Sequence, residues 1–135
     1  MASLSVNVKF SASIQPHATS GTGSKYPDST SFEMTSRKRL ENQVRTIAAD
    51  GTLTLTKSEE GITTSNLIKI ECLTAGKGFN LAFNSDANGF DVVAPSSSAH
   101  AVFIATADFT DVVITNLDDT NTIDIQFSVY EAYSA

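Results

Sequence analysis

The sequence has one cysteine, Cys72, no tryptophan and three prolines. A lone cysteine rules out an intrachain disulfide. The missing tryptophan removes the side chain best suited to stacking on sugars, leaving Tyr26, Tyr130 and Tyr133 as the tyrosine candidates. Charge is scarce too: Asp, Glu, Lys and Arg make up 18% of the chain, against about 25% in ordinary globular domains. Basic charge stops altogether after Lys77. No apolar run approaches the length of about 18 residues that spans a bilayer as a helix, so no membrane partner is expected. Met1 to Phe10 has neither a basic start nor a continuous apolar stretch, so no export signal is expected and synthesis in a reducing cytosol is.

What fills the space is serine and threonine, at about a quarter of the 135 positions. With 41% hydrophobic residues, that composition suits strands whose solvent face is polar but uncharged, and not a helical bundle rich in Ala, Leu, Glu and Lys. The length fits one domain, long enough to bury a core without staples. The charge is placed unevenly. Residues 1–50 carry six basic and four acidic side chains, a net of +2, whereas residues 51–135 carry three and eleven, a net of −8. An acidic body repels phosphate, so nucleic acid is not an expected partner and a neutral or basic protein surface is.

Leu4, Val6, Val8 and Phe10 alternate with polar residues and predict a strand. From Ser11 to Ser31 the periodicity gives way to Gly, Ser, Thr and Pro, which predicts an irregular arm. Arg37 to Ala49 is ambiguous. Leu40, Val44 and Ile47 fall at helical spacing, but Arg37, Lys38 and Arg39 would oppose a helix dipole at its start. The preferred reading is a hairpin, Gln43 to Ile47 and Thr52 to Thr56, turning at Asp50-Gly51. Strands and turns then recur. They are expected at Leu67 to Leu73, with Ile68, Ile70 and Cys72 on one face, at Phe79 to Phe83 and at Phe90 to Val93. Further strands are expected at Ala101 to Thr106, Asp111 to Thr115 and Ile123 to Val129. The runs Val102-Phe103-Ile104 and Val112-Val113-Ile114 are apolar on both faces, which suits strands covered on both sides, by the domain itself or by a neighbouring subunit. Spacings of about 8 to 14 residues predict an all-β, antiparallel β-sandwich. Its body covers residues 41–135, preceded by an N-terminal strand and irregular arm over 1–40, as one domain.

The motifs for chemistry are thin. His17, His100 and Cys72 lack zinc-ligand spacing. Ser96, Ser97 and Ser98 stand near His100, but no Gly-x-Ser-x-Gly elbow frames them. Asp108, Asp111, Asp118, Asp119 and Asp124 supply oxygens that could gather round calcium, yet Asp118 to Asn121 is equally a good turn and Asp86 to Gly89 a good hairpin. Neither a catalytic set, a cofactor nor a metal centre is therefore expected. Arg37, Lys38 and Arg39 are the candidate partner contact, the plain alternative being a solvated turn.

The strand series ending in VVITNLDDTNTIDIQFSVYEAY, the Ser/Thr/Asn-rich surface, the irregular segment after one strand and the missing export signal resemble the small β-sandwich cement or decoration proteins of tailed-phage capsids. The stretch from about residue 43 to 133 carries the resemblance, and no motif aligns from which binding residues carry over. It implies a jelly-roll-like structural virion protein, a homodimer or homotrimer, that clamps a major capsid or other virion protein, with residues 1–40 reaching to the shell or to a sister subunit. The alternative function is a carbohydrate- or receptor-binding module of a viral tail or fibre.

Overall fold

The structure is a computed structural model that describes residues 6–12 and 30–132, with side chains over 42–131 apart from residue 66. Nine strands follow in chain order: β1 (Val6–Ala12), β2 (Thr30–Ile47), β3 (Thr52–Thr56), β4 (Ser65–Cys72), β5 (Phe79–Phe83), β6 (Phe90–Val92), β7 (Val102–Ala105), β8 (Asp111–Asn116) and β9 (Ile123–Ala132). No helix occurs among the described residues. Most of the stretch expected as an irregular arm lies outside the described residues. Its two ends belong to β1 and β2, and position 40 lies inside β2.

Period-two patterning decides the faces. In β9, Ile123, Ile125, Phe127 and Val129 are buried, while Asp124 between the first two is exposed. In β8, Val112, Ile114 and Asn116 point inward, and in β4 Ile68, Ile70 and Cys72 do the same. Phe79 and Leu81 of β5 and Leu55 of β3 stand beside the β8 residues and face those of β4 and β9 across the core. Successive side chains of a strand lie on opposite faces, so one alternating stretch builds one wall of a sandwich.

The strand pairs are nested. β2 lies antiparallel to β9, β3 to β8, β4 to β7 and β5 to β6. The chain from β2 to β9 is thus one long hairpin with its tip in the turn over residues 84–89. Further pairs, β4 with β9 and β5 with β8, roll that hairpin into two sheets. The sheet orders are β1-β2-β9-β4-β7 and β3-β8-β5-β6, the order of a jelly roll. The expected antiparallel sandwich is the observed fold.

The expected hairpin over residues 43–56 is corrected. Both strands and the turn exist, but β2 belongs to the five-stranded sheet and β3 to the four-stranded one. Ile47 pairs with Ile123, and Thr52 with Thr115. Asp50, at φ 54°, and the bond from Gly51 N–H to the Ala48 carbonyl make a corner between sheets. Each strand has one apolar face, Ile47 on one side and Leu53 and Leu55 on the other. Facing each other across the core buries both.

The helix alternative for residues 37–49 also falls, because β2 runs through Ile47 and the corner between sheets begins at Ala48. Its misleading spacing has a cause. The register slips between Leu40 and Gln43, with Asn42 in the left-handed region at φ 52°. One extra residue there puts positions 40, 43, 45 and 47 opposite the alternating series 129, 127, 125 and 123.

Candidate interaction surface

Four loops meet at one end of the sandwich, over residues 48–51, 73–78, 93–101 and 117–122. Asn116 is the buried amide that ties two of them together. Its Nδ2 donates to the carbonyls of Ala48 and Asn121 at 3.0 and 2.8 Å, and its Oδ1 accepts the Asp118 N–H at 2.8 Å. Asp118 accepts the N–H groups of Thr120 and Asn121 and pairs with Lys77, whose hydrogen bond is the largest of the causes holding its carboxyl well below the usual range. Asp124 accepts the Thr46 hydroxyl at 2.7 Å.

At the opposite end Asp108 gathers Lys57 Nζ at 2.6 Å and the N–H groups of Ser65 and Phe109. The Lys57 hydrogen bond leads the causes that lower its pKa. Asp111 accepts the Ser85 N–H, and Asp86 accepts the Asn88 N–H. The acids marked as calcium candidates are therefore divided between the two ends, each holding nearby loop or strand groups. Among the described residues no group of three His, Cys, Asp or Glu side chains gathers to hold a metal.

Ser96 and Ser98 lie 3.4 Å apart through their hydroxyls, but His100 directs Nδ1 to Glu71 at 3.2 Å. Cys72 is fully buried, and desolvation pushes its thiol pKa up. Tyr130 is half-buried on β9, while Tyr26 and Tyr133 lie outside the described residues.

Arg37, Lys38 and Arg39 fall within β2, not on a turn. The register sets Lys38 opposite Glu131 and Arg39 opposite Tyr130, with Arg37 at a second slip between Ser36 and Lys38. Neighbouring strand positions alternate, so Lys38 and Arg39 belong to opposite faces of the sheet.

A surface unnoticed in the sequence stands at the other margin of the molecule. β7 ends the five-stranded sheet and β6 ends the four-stranded one. Of the five large apolar side chains exposed among the described residues, three lie there: Phe90 at 45%, Val93 at 67% and Val102 at 43%. Phe90 stands opposite Leu81 in register and so belongs to the core face, yet it is open because its strand is the last of its sheet. Its ring lies 5.5 Å from Phe103, which lies 5.7 Å from Phe83, itself 6.1 Å from Phe109. The aromatic row runs from solvent into the core. The run Val102 to Ile104 was the sequence's hint, since Val102 is apolar on the face away from the core and nothing among the described residues buries it.

Comparison of the chain with protein families, with curated proteins and with solved structures returns no match.

Proposed function

We propose that this chain is a structural virion protein, a capsid decoration or cement protein that works by subunit contact, with sister copies and a major capsid or other virion protein as partners. The observation that carries this reading is the shape of the β1–β2 ribbon. β1 pairs with residues 30–36 of β2, whereas β9 pairs with β2 from Ser36 onward. Beyond Ser36 the ribbon leaves the sandwich with no third strand beside it among the described residues. Two-stranded ribbons are at best marginally stable in water, so one that reaches past its own domain is suited to a neighbour's surface. The apolar margin at Phe90, Val93 and Val102 adds contact area of the kind found at the centres of interfaces. The acidic body, with a net of −8 over residues 51–135, favours a neutral or basic shell surface.

The test is density-gradient co-sedimentation of the full chain with purified capsids of the virus whose genome encodes it. The expected result is saturable binding at a stoichiometry set by capsid symmetry, with a higher temperature of capsid disruption. No association with capsids, or saturable binding to free glycans on an array in its place, overturns the reading.

A further inference from the structure

Asn88 is the one asparagine of the chain that precedes a glycine, and it stands at the tip of the long hairpin, just before β6. It is exposed, and its carboxamide makes no hydrogen bond among the described residues. Its backbone N–H donates to Asp86 Oδ1 at 3.0 Å. The N–H of Gly89, next in the chain, is without an acceptor among the described residues. Asn84, at the other end of the same turn, is arranged differently. Its Oδ1 accepts the Thr110 N–H at 2.7 Å, and the nitrogen that follows it, Ser85 N, donates to Asp111 Oδ1 at 3.2 Å. Asn80, Asn116 and Asn121 likewise commit their amides, to Asp91, to loop carbonyls and to Asp118. Asn88 combines a free carboxamide with a free following N–H and no following side chain to shield it.

We propose that Asn88-Gly89 is a self-modifying site, which loses ammonia by attack of the chain's own backbone and so loosens the hold on β6. Solvent hydroxide takes the proton from Gly89 N. That nitrogen bonds to Asn88 Cγ, the Cγ–Nδ2 bond breaks, and the amide leaves as ammonia with a proton from water. The product is a cyclic succinimide, which a water molecule then opens. Cleavage between Gly89 N and Cγ leaves an aspartate in position 88. Cleavage between Gly89 N and the Asn88 backbone carbonyl carbon leaves an isoaspartate, whose main chain runs through Cβ and Cγ. Water is consumed and ammonia released, with no oxidant or reductant involved. Both products add a negative charge to a loop that already holds Asp86 and Asp91. The isoaspartate also lengthens the main chain by one carbon directly before Gly89, where space is tight. Gly89 lies at φ 55°, and a Cβ there would stand 2.5 Å from both Asn80 Oδ1 and the Leu81 carbonyl oxygen. β6 ends its sheet and is held to β5 by three register pairs. A ladder that short opens locally at lower cost than a central strand, so the lengthened chain frees β6, and Phe90 with it, from β5. This chemistry is independent of the assembly reading.

The test is peptide mass mapping of the full chain held in warm, mildly alkaline buffer, with electron-transfer fragmentation to tell isoaspartate from aspartate. Position 88 is expected to convert at least about tenfold faster than any other asparagine, since glycine leaves the attacking nitrogen unshielded. Its rate in the folded chain is expected to stay within about tenfold of that in the same chain unfolded in guanidinium chloride, because an exposed tip reacts without global opening. Asn88→Gln is expected to abolish the fast release of ammonia. Hydrogen exchange at Phe90 to Val92 is expected to run faster in the isoaspartate form than in fresh protein, with β9 unchanged. Asn88→Asp, which carries the charge on an ordinary backbone, is expected to exchange as fresh protein does. Conversion at position 88 no faster than at the other asparagines, or a folded rate below that tenfold limit, overturns the site. Exchange at residues 90–92 that is unchanged in the isoaspartate form, or equally fast in Asn88→Asp, overturns the loosening of β6 by the lengthened main chain.

Discussion

Asn116 sits 2% exposed at the end of β8 and satisfies both of its Nδ2 protons and its carbonyl oxygen with loop backbone. Asn116→Ala takes the amide donor from the Asn121 carbonyl and the acceptor from the Asp118 N–H, leaving Ala48 with its Gly51 bond, and is expected to cost about 1–3 kcal/mol, read as a lower urea midpoint with an unchanged slope. Asp118 acts through charge. Its carboxyl is held below the ordinary range by Lys77 and two backbone donors, so the folded state binds that proton less readily than the unfolded chain. The stability it contributes is fully present above about pH 4 and is lost as the pH falls further, through the folded value. Asp118→Asn is therefore expected to melt below the wild type at pH 7, with the gap closing as pH falls below about 4. A gap that stays constant across that range would show that Asp118 acts through shape alone. Sequence reading recognised Asp118 to Asn121 as a turn from its Asx residues, because that chemistry is local. It missed Asn116, whose partners at residues 48 and 121 meet only after folding.

At the scale of elements, the strands were legible and their partners were not. Leu53 and Leu55 alternating with threonine announce β3, but nothing within those five residues says that they pair with β8 rather than with β2. The bulge at Asn42 in β2 is another tertiary device: its N–H donates to Ser128 Oγ at 3.0 Å, 86 positions away. The tip of the long hairpin was readable from Asp86 to Gly89. Gly89 lies at φ 55°, and a Cβ there would meet the Leu81 carbonyl oxygen at 2.5 Å. Gly89→Ala is expected to cost about 1–3 kcal/mol from backbone strain, measured by chemical denaturation, and to loosen β6 first. Hydrogen exchange at Phe90 to Val92 should then accelerate more than at β9, and uniform acceleration would argue against the tip as the weak point.

For the whole molecule, the distinction that matters is between apolar side chains that hold the fold and those left open to solvent. Phe127 is 1% exposed at the centre of β9 and Phe90 is 45% exposed at the margin. Phe127→Ala is expected to lower stability by about 3–5 kcal/mol through lost burial and a residual cavity. Phe90→Ala should cost under about 1.5 kcal/mol, in proportion to the smaller area it keeps from water. Equal losses of stability in the two variants would mean that Phe90 belongs to the core. The candidate contact was half legible. The basic trio Arg37, Lys38 and Arg39 stood out as a cluster, yet the sequence offered no sign that β6 and β7 would end their sheets side by side.

The sequence by itself determined that the chain is all-β, roughly where its strands lie, which face of the alternating strands turns inward, and that the acids concentrate after residue 50. These follow from side-chain alternation and turn chemistry, which act over a few residues. Only the tertiary structure decided that β2 and β3 part into different sheets, that the chain rolls as nested pairs, and that Phe90, Val93 and Val102 share an open margin. Those depend on which apolar faces meet across the core, a choice set by contacts between residues dozens of positions apart.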